Sequence, residues 1–291
     1  MSGVLAAAHY ADRACHERVT VLENVRIARD TFRVRIHCPR IARSIAPGQF
    51  VMLRLADTND PLLGRPLALY DTVLAEGERG AAVGIDIVYL VVGAMTGRLA
   101  KFAPGQALDV WGPLGNGFVA GNAEPLVMVA GGIGQTPFLA LAREALGQRQ
   151  YGEPPRIVPR APRVTLCYGA RTKDYLAGVD DFGRLGVEVR VSTDDGSAGH
   201  HGLVTDLVEQ AIADSPGGRV VCCGPEPMMA AVAKITRGGG IRCQVSLETP
   251  MACGVGICFS CVARVRDAEG SWDYRRTCVE GPVFDAERIE W

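Results

Sequence analysis

The stretch Pro125-Leu-Val-Met-Val-Ala-Gly-Gly-Ile-Gly-Gln-Thr-Pro137 joins an uncharged apolar run to a turn rich in glycine. Such a run is typical of a strand that is buried on both faces, as in a parallel sheet. Residues 138–146 carry the apolar spacing of a helix. Pro137 suits the first turn of that helix, because the N–H that proline lacks would have no partner there. The stretch therefore predicts the strand, turn and helix that begin a βα unit.

The same pattern recurs further along the chain. A helix is predicted at 227–236, and further apolar strands are predicted at 163–169, 187–192 and 219–224. Parallel strands joined by helical crossovers explain this series, so residues 121–240 are predicted to form a parallel α/β domain. Residues 148–163 interrupt the series with Pro, Arg and Gly, and they are predicted to form an exposed excursion.

Two glycine turns of this domain suggest a nucleotide site. Backbone amides of Gly131-Gly-Ile-Gly134, at the start of a helix, can hold the diphosphate of a dinucleotide. The turn is not the G-x-G-x-x-G fingerprint, and close packing of strand and helix also explains its glycines. Cys223-Gly-Pro225 ends another predicted parallel strand and would open at the same carboxyl edge, outside which ligands bind. The second turn favours nucleotide binding over packing alone.

The first part of the chain shows a different periodicity. Pro47-Gly48 and Pro104-Gly105 separate short runs that alternate polar and apolar residues, namely 19–22, 31–36, 49–55 and 84–92. This pattern predicts an antiparallel sheet or barrel over residues 16–120. Residues 112–118 form at least a turn that closes this domain, and residues 1–15 are an arm or an early strand.

Two places in the β domain are candidates for phosphate binding. Arg65 is the one cation of Gly64-Arg-Pro-Leu-Ala-Leu-Tyr70, and it is either a surface arginine or a fork aimed at phosphate. Gly93-Ala-Met-Thr-Gly97 precedes a predicted short helix. The first amides of that helix and the Thr96 hydroxyl are placed to meet the same phosphate.

The chain closes with four cysteines in a characteristic order. Cys253, Cys258, Cys261 and Cys278 have the spacing C-x4-C-x2-C-x16-C. The first two intervals are those of plant-type [2Fe-2S] proteins. A structural zinc site is the alternative, but it usually pairs C-x2-C with a second such pair or with histidines. The remaining six cysteines lie among apolar neighbours, as buried free thiols do.

Composition excludes several classes of partner. The chain has 31 Lys and Arg against 32 Asp and Glu, which gives a formal net charge of -1. This balance predicts no broad basic surface for nucleic acid or for a membrane. No apolar run has the length of a membrane span, and the first ten residues lack the features of a signal peptide. The expected location is therefore the cytoplasm.

Taken in order, these motifs resemble the ferredoxin-NADP reductase superfamily. Within it, the chain is most similar to the electron-transfer subunits of NAD-dependent, class 1B dihydroorotate dehydrogenases. The likeness covers about residues 19–291 and is most specific in the cysteine segment, while Thr193-Asp-Asp-Gly-Ser197 also matches. The resemblance implies an FAD-binding β-barrel at 16–120, an NAD-binding α/β domain at 121–240 and a small [2Fe-2S] domain at 241–291.

The resemblance also implies the binding residues. Those for FAD are Arg65, Pro66, Leu67, Ala68, Val88, Tyr89, Leu90, Met95 and Thr96. Those for NAD(H) are Gly131, Gly132, Gly134, Gln135, Cys223, Gly224 and Pro225. The cluster ligands are the four cysteines. Ala68 replaces a usual hydroxyl residue and Met95 a usual glycine, so the flavin contacts are expected to differ in detail.

The function that the resemblance implies is electron transfer without an acid–base catalytic residue. NADH and FAD exchange a hydride, and the cluster relays single electrons to or from FMN in a dihydroorotate-oxidising partner. Two subunits of each type would form a heterotetramer. The alternatives are a reductase subunit for a hydrogenase, a glutamate synthase or a ferredoxin, a standalone diaphorase, and a zinc-stabilised binding module. Arg171 and Lys173 fit the 2′-phosphate of NADP, although the resemblance favours NAD.

Overall fold

The structure is a computed structural model that describes residues 13–75 and 80–291. The first sheet contains β1 (Cys15–Ala28), β2 (Thr31–His37), β3 (Phe50–Leu55), β4 (Arg65–Ala68), β5 (Asp71–Leu74), β6 (Ala82–Leu90) and β7 (Ala107–Leu114). The second sheet contains β8 (Leu126–Gly131), β9 (Val164–Ala170), β10 (Glu188–Thr193), β11 (His200–His201), β12 (Arg219–Cys223), β13 (Cys243–Ser246) and β16 (Val283–Asp285). The strands β14 (Val262–Arg266) and β15 (Trp272–Arg276) form a hairpin.

The helices of the described residues are short. They are α1 (Pro39–Ser44), α2 (Ala94–Leu99), α3 (Phe138–Ala145), α4 (Val179–Arg184), α5 (Thr205–Ala213) and α6 (Glu226–Gly238). Across the part of the chain that the structure describes, none of them has the length and apolar character that crossing a membrane requires. Of the predicted arm at 1–15, residues 1–12 lie outside the described residues, and Cys15 already begins β1.

The first sheet is antiparallel and curls into a half-barrel, with β4 and β5 as its edge strands. Its strands follow the order β4-β3-β7-β1-β2-β6-β5, and every neighbouring pair is antiparallel. The two edge strands continue into each other through Leu69, whose amide bonds to Gln49, and Tyr70, whose amide bonds to Asp86. Alternate side chains such as Val34 and Ile36 fill the interior, which is why the sequence alternates in polarity. The predicted antiparallel β domain is confirmed, as a half-barrel.

The second sheet confirms the predicted α/β domain. Its order is β11-β10-β9-β8-β12-β13-β16, and all its pairs are parallel except the last. The central strand β8 is almost entirely buried, as its uncharged sequence requires. Helices α3 to α6 follow strands of this sheet along the chain, and their apolar residues complete two cores.

The cysteine-bearing end of the chain is joined to both sheets. β13 and β16 belong to the predicted third domain, yet they complete the second sheet. Asn116, in the turn after β7, donates from Nδ2 to the Val283 carbonyl at 2.8 Å and accepts from the Val283 amide at 3.1 Å. The second and third predicted domains therefore share one sheet. The boundaries 16–120, 121–240 and 241–291 stay a prediction.

The predicted exposed excursion at 148–163 is partly wrong. Tyr151 is only 3% exposed, and its hydroxyl donates to Oδ1 of the buried Asp71 at 2.7 Å. Arg149 and Arg143 lie 3.0 and 2.8 Å from the same carboxylate. Asp71 begins β5 of the barrel, whereas the other three residues belong to the α/β domain. Residues of the segment 148–163 therefore bind the barrel to the α/β domain. Their partner in the barrel is distant in sequence, so local composition does not reveal the contact.

We expect Tyr151→Phe to lower the free energy of unfolding by about 2 kcal/mol, because it removes a buried hydrogen bond to a charged acceptor. The measurement is urea unfolding of the cofactor-loaded protein, and the matched control is Tyr274→Phe at an exposed tyrosine. Equal effects of the two substitutions would contradict the role assigned to the Tyr151 hydroxyl.

Candidate nucleotide, flavin and cluster sites

The two glycine turns of the α/β domain meet at one edge of the sheet. β8 and β12 are neighbouring parallel strands, so the segments after them emerge side by side. A Cβ atom on Gly134 would lie 2.2 Å from the Cys223 carbonyl oxygen, and one on Gly131 would lie 2.6 Å from the Met228 sulfur. No real Cβ fits at such distances. The glycines therefore let the backbones of the two turns approach each other, which leaves peptide groups facing the edge where a nucleotide binds.

The start of α3 supplies amides at this edge. Residues 132–135 form a 3-10 turn that leads into the helix, and Gly132 has a φ of +56°, a conformation that glycine adopts without strain. Amides in the first turn of a helix have no acceptor within it, so they suit a diphosphate. Gln135 behaves differently, because its side chain is 0% exposed and neither amide atom has a hydrogen-bond partner. In this conformation its side chain is inaccessible to a ligand at the edge.

The far end of the same edge carries acidic as well as basic residues. Arg171 follows β9 and is exposed, as is Lys173. Asp194 and Asp195 follow the adjacent strand β10, and the Asp195 amide bonds to the Arg171 carbonyl at 3.3 Å. Hydrogen bonds from the hydroxyl and the amide of Ser197 lower the pKa of the Asp195 carboxyl. A carboxylate on a segment whose backbone bonds to that of Arg171 opposes a 2′-phosphate and suits a ribose hydroxyl, which favours NAD. The two cations are visible in the sequence, whereas the fold alone brings the Asp195 segment to them.

The segment expected to contact the flavin is an edge strand of the barrel. β4 pairs with β3 alone, with Leu53 opposite Arg65. Pro66 fits an edge because it has no N–H to donate to a second neighbour. The exposed Arg65 guanidinium bonds only to the carbonyls of Leu63 and Gly64, at 2.9 and 3.0 Å. Among the described residues no carboxylate pairs with it, so its outer N–H groups are free for a phosphate.

In the turn expected to hold the diphosphate, the Thr96 hydroxyl is engaged within the turn itself. This buried hydroxyl accepts hydrogen bonds from the amides of Val92 and Gly93, at 3.1 and 3.2 Å. The hydroxyl thus shapes the turn from within and does not face a ligand. Met95 is also buried and joins the barrel core, so the replacement of a usual glycine leaves the outer surface unobstructed. A Cβ on Gly93 would meet no atom within 4 Å, so backbone lines this open side.

The strand β6 offers less accessible side-chain surface to a flavin than the sequence predicts. The Val88 side chain is buried in the core shared with α3, and the Tyr89 side chain lies inside the barrel with its hydroxyl 3.1 Å from Asn24 Oδ1. Leu90, at the end of the strand, is half-buried. Pro66, Leu67 and Ala68 of β4 are half-buried as well. A flavin against this wall would touch β4 and Leu90 more than the side chains of Val88 and Tyr89.

The four cysteines approach each other as two pairs. The thiols of Cys261 and Cys278 lie 3.2 Å apart, and Cys253 is close enough to Cys258 to contribute to lowering its pKa. Across the described residues, no three His, Cys, Asp or Glu side chains converge on one metal position. A structural zinc ion needs four ligands around one point, whereas each iron of a two-iron cluster takes two protein ligands. The paired arrangement fits the two-iron cluster.

The loop favours the thiolate form, which binds metal, at Cys258 and Cys261, whereas the hydrogen bond with Cys261 raises the pKa of Cys278. The Ser260 hydroxyl, followed by contacts with Cys253, lowers the pKa of Cys258 to about 6. The hydrogen bond with Cys278 lowers the pKa of Cys261 to about 6. Arg276 donates to the Gly256 carbonyl at 2.9 Å and lies 4.9 Å from the ring centre of Phe259. Sequence spacing identified the cysteines but gave no signal for Ser260 or Arg276, whose roles depend on the folded loop.

Comparisons with known proteins agree with this geometry. Residues 248–290 match the family described as the iron-sulfur cluster binding domain of dihydroorotate dehydrogenase B, and residues 128–234 match the oxidoreductase NAD-binding domain. The dihydroorotate dehydrogenase B (NAD(+)) electron transfer subunit of Fusobacterium nucleatum is 34% identical over 279 residues, 94% of this chain and 98% of that relative. The same subunit of Bacillus caldolyticus is 35% identical over 276 residues, 94% and 98% of the two chains.

A solved structure of an NADH-dependent reduced ferredoxin-NADP oxidoreductase is similar in fold. It has a TM-score of 0.77 at 31% identity and covers 94% of this chain and 90% of its own. The iron-sulfur and NAD-binding domains, with a ferredoxin-reductase-like fold that binds FAD, account for all three expected cofactors. The iron-sulfur match also excludes the zinc module. The chain therefore belongs to the family of dihydroorotate dehydrogenase B (NAD(+)) electron transfer subunits.

Proposed function

We propose that this chain carries electrons between NAD(H) and the FMN of a dihydroorotate-oxidising partner, through its own FAD and [2Fe-2S] cluster. The complex is a cytoplasmic heterotetramer with two subunits of each type, and it serves pyrimidine biosynthesis. The observation that carries the proposal is the difference in burial between the two cysteine pairs. Cys261 and Cys278 are buried in a core shared with barrel strands β3 and β7, whereas Cys258 is exposed. One iron would thus face the flavin domain and the other a partner.

The cofactors supply the redox chemistry: FAD exchanges a hydride with the nicotinamide, and the cluster exchanges single electrons. The chain's own residues bind and orient them. Backbone of the turns at Gly131–Gly134 and Cys223–Pro225 receives the dinucleotide, Asp195 suits its ribose, and Arg65 binds flavin phosphate. No side chain is required to move a proton, which fits a site built mostly from peptide groups.

The surface around Cys258 suits contact with another protein. Ile257 is 78% exposed and Phe259 is 62% exposed, on either side of this ligand. Trp272 and Tyr274 add exposed aromatic surface on the β14–β15 hairpin. Apolar and aromatic side chains of this kind form the buried centre of protein interfaces. The occupant that we assign to this surface is the dihydroorotate-oxidising subunit.

A second candidate is a reductase subunit that serves a ferredoxin in a larger NAD(P)H-linked complex. The likeness in fold to the NADH-dependent reduced ferredoxin-NADP oxidoreductase favours it. Anaerobic pull-down from cells that co-express both potential partners separates the two candidates. Recovery of the dihydroorotate-oxidising chain, together with NAD⁺ reduction that depends on dihydroorotate, supports the main proposal. Recovery of a ferredoxin without that activity would overturn it.

We expect Gly134→Ala to raise the dissociation constant for NADH about tenfold or more, equivalent to about 1.4 kcal/mol. The added methyl group collides with the Cys223 carbonyl and separates the two turns. The measurement is NADH titration of the flavin-loaded protein. Gly183→Ala is the matched control, because a Cβ there meets no atom within 4 Å. Unchanged affinity in Gly134→Ala would place the nucleotide elsewhere.

Cys258→Ser is expected to leave electron transfer from NADH to the flavin intact and to abolish electron transfer from the cluster to the partner. NADH oxidation by dyes that accept electrons from the flavin should remain within about twofold of wild type, because the flavin is untouched. Reduction of the partner's FMN should be lost along with cluster iron. Cys15→Ser, outside the cluster set, serves as the control. Equal loss of both activities in Cys258→Ser would refute the order flavin, cluster, partner.

Ile257→Asp is expected to weaken partner binding at least about tenfold, because a charge would be buried at the centre of the interface. Affinity is measured by titrating the partner subunit, and cluster iron is measured to show that the loop stays intact. Ile157→Asp is the matched control, since Ile157 is 86% exposed on the 148–163 segment. Equal affinities of the two variants would rule out this surface as the contact.

A further inference from the structure

Trp111 connects the barrel to the cysteine loop. It lies in β7, opposite His16 of β1 and Met52 of β3. Its indole Nε1 donates a hydrogen bond to the carbonyl oxygen of Cys253 at 2.9 Å. Cys253 is one of the four cluster ligands, so a barrel side chain directly holds the peptide of a residue that binds iron.

The other end of the same indole touches the flavin segment. A Cβ atom on Gly64 would lie 2.7 Å from Cη2 of Trp111 and 3.4 Å from Cζ2. Glycine at this position therefore makes room for the six-membered ring. Gly64 directly precedes Arg65, the first residue of β4. One rigid side chain thus lies against the residue that leads into β4 with its six-membered ring and bonds to the cluster loop with its pyrrole N–H.

A second contact packs the cysteine loop against the barrel but does not fix the orientation of the loop. A Cβ atom on Gly254 would lie 2.5 Å from Cγ of Met52, and Met52 pairs with Pro66 of β4. This contact is apolar, and a methionine side chain is flexible. The Trp111 hydrogen bond is directional and comes from a side chain with only two rotatable bonds. Between the two, Trp111 is the contact that defines where Cys253 lies relative to β4.

We propose that Trp111 is a positioning residue for electron transfer between FAD and the cluster, because it holds the cluster loop at a fixed distance from the flavin strand. The inference rests on the proposed function, since it requires flavin at β4. In each transfer the reduced flavin gives up one electron and the oxidised cluster gains one, while Trp111 is neither oxidised nor reduced. Electronic coupling falls steeply with distance, so a small displacement of the loop slows the transfer.

The test compares Trp111→Phe, which keeps a ring but removes the N–H, with Trp111→Leu, which removes the ring as well. Trp272→Phe, at an exposed tryptophan of the hairpin, is the matched control. Each purified variant, without a partner subunit, is mixed anaerobically with NADH. Stopped-flow absorbance follows flavin reduction and then cluster reduction. Iron content, dye reduction and the EPR spectrum of the dithionite-reduced cluster are recorded in parallel.

We expect cluster reduction to slow about tenfold in Trp111→Leu and less in Trp111→Phe, because small displacements of reacting groups have large effects on rate. Flavin reduction, dye activity and iron content should stay at wild-type levels. The EPR g-values should change in Trp111→Phe, whose Cys253 peptide loses its hydrogen bond, and should not change in Trp272→Phe.

Wild-type rates of cluster reduction in both Trp111 variants would overturn the proposal. Loss of iron from both variants would overturn it too, because Trp111 would then serve assembly of the cluster and not transfer. Failure of the proposed function shows itself differently. In that case the wild-type chain would reduce its own cluster normally and would not exchange electrons with the dihydroorotate-oxidising subunit.

Discussion

The buried carboxylate of Asp71 is the constraint on which the arrangement of domains depends. An ionised carboxylate away from water is destabilising unless it is fully paired, and here Arg143, Arg149 and Tyr151 surround it. The carboxylate belongs to the barrel strand that continues the flavin segment, and its partners belong to the nucleotide domain. Any separation of the domains would leave the carboxylate or its arginines unpaired. The segments that we propose for flavin and nicotinamide are thereby held in one relative position, which hydride transfer requires.

The three cofactor sites are built by different physical means. At the nucleotide edge, glycine is required because a side chain on Gly134 would collide with the backbone at Cys223. The segment proposed for flavin offers the free side of an edge strand and Arg65, which pairs with no carboxylate among the described residues. The cluster site uses side chains alone, arranged in two thiol pairs that differ in burial. This difference gives the cluster an inner and an outer side, so one fold can connect a flavin to a separate protein.

The replacement of a glycine by Met95 has little consequence for the shape of the turn in the folded chain. Met95 replaces a glycine, yet its side chain turns into the barrel core and leaves the diphosphate turn open. Thr96 keeps the family's residue, but its hydroxyl caps the turn from inside. Helix and turn geometry decide where these side chains point. Residue identity alone therefore does not predict which atoms of these segments face outward.

The sequence by itself determined the periodicities that separate barrel from α/β domain, the glycine turns and the spacing of the four cysteines. These features depend on neighbouring residues, since alternation, turn chemistry and ligand spacing are local properties. Only the tertiary structure decided that Tyr151 is buried against Asp71, that Asp195 lies beside Arg171, and that Trp111 reaches Cys253. Each of these contacts joins residues far apart in the chain, and their geometry follows from how the sheets close and pack. A local pattern carries no information about such contacts.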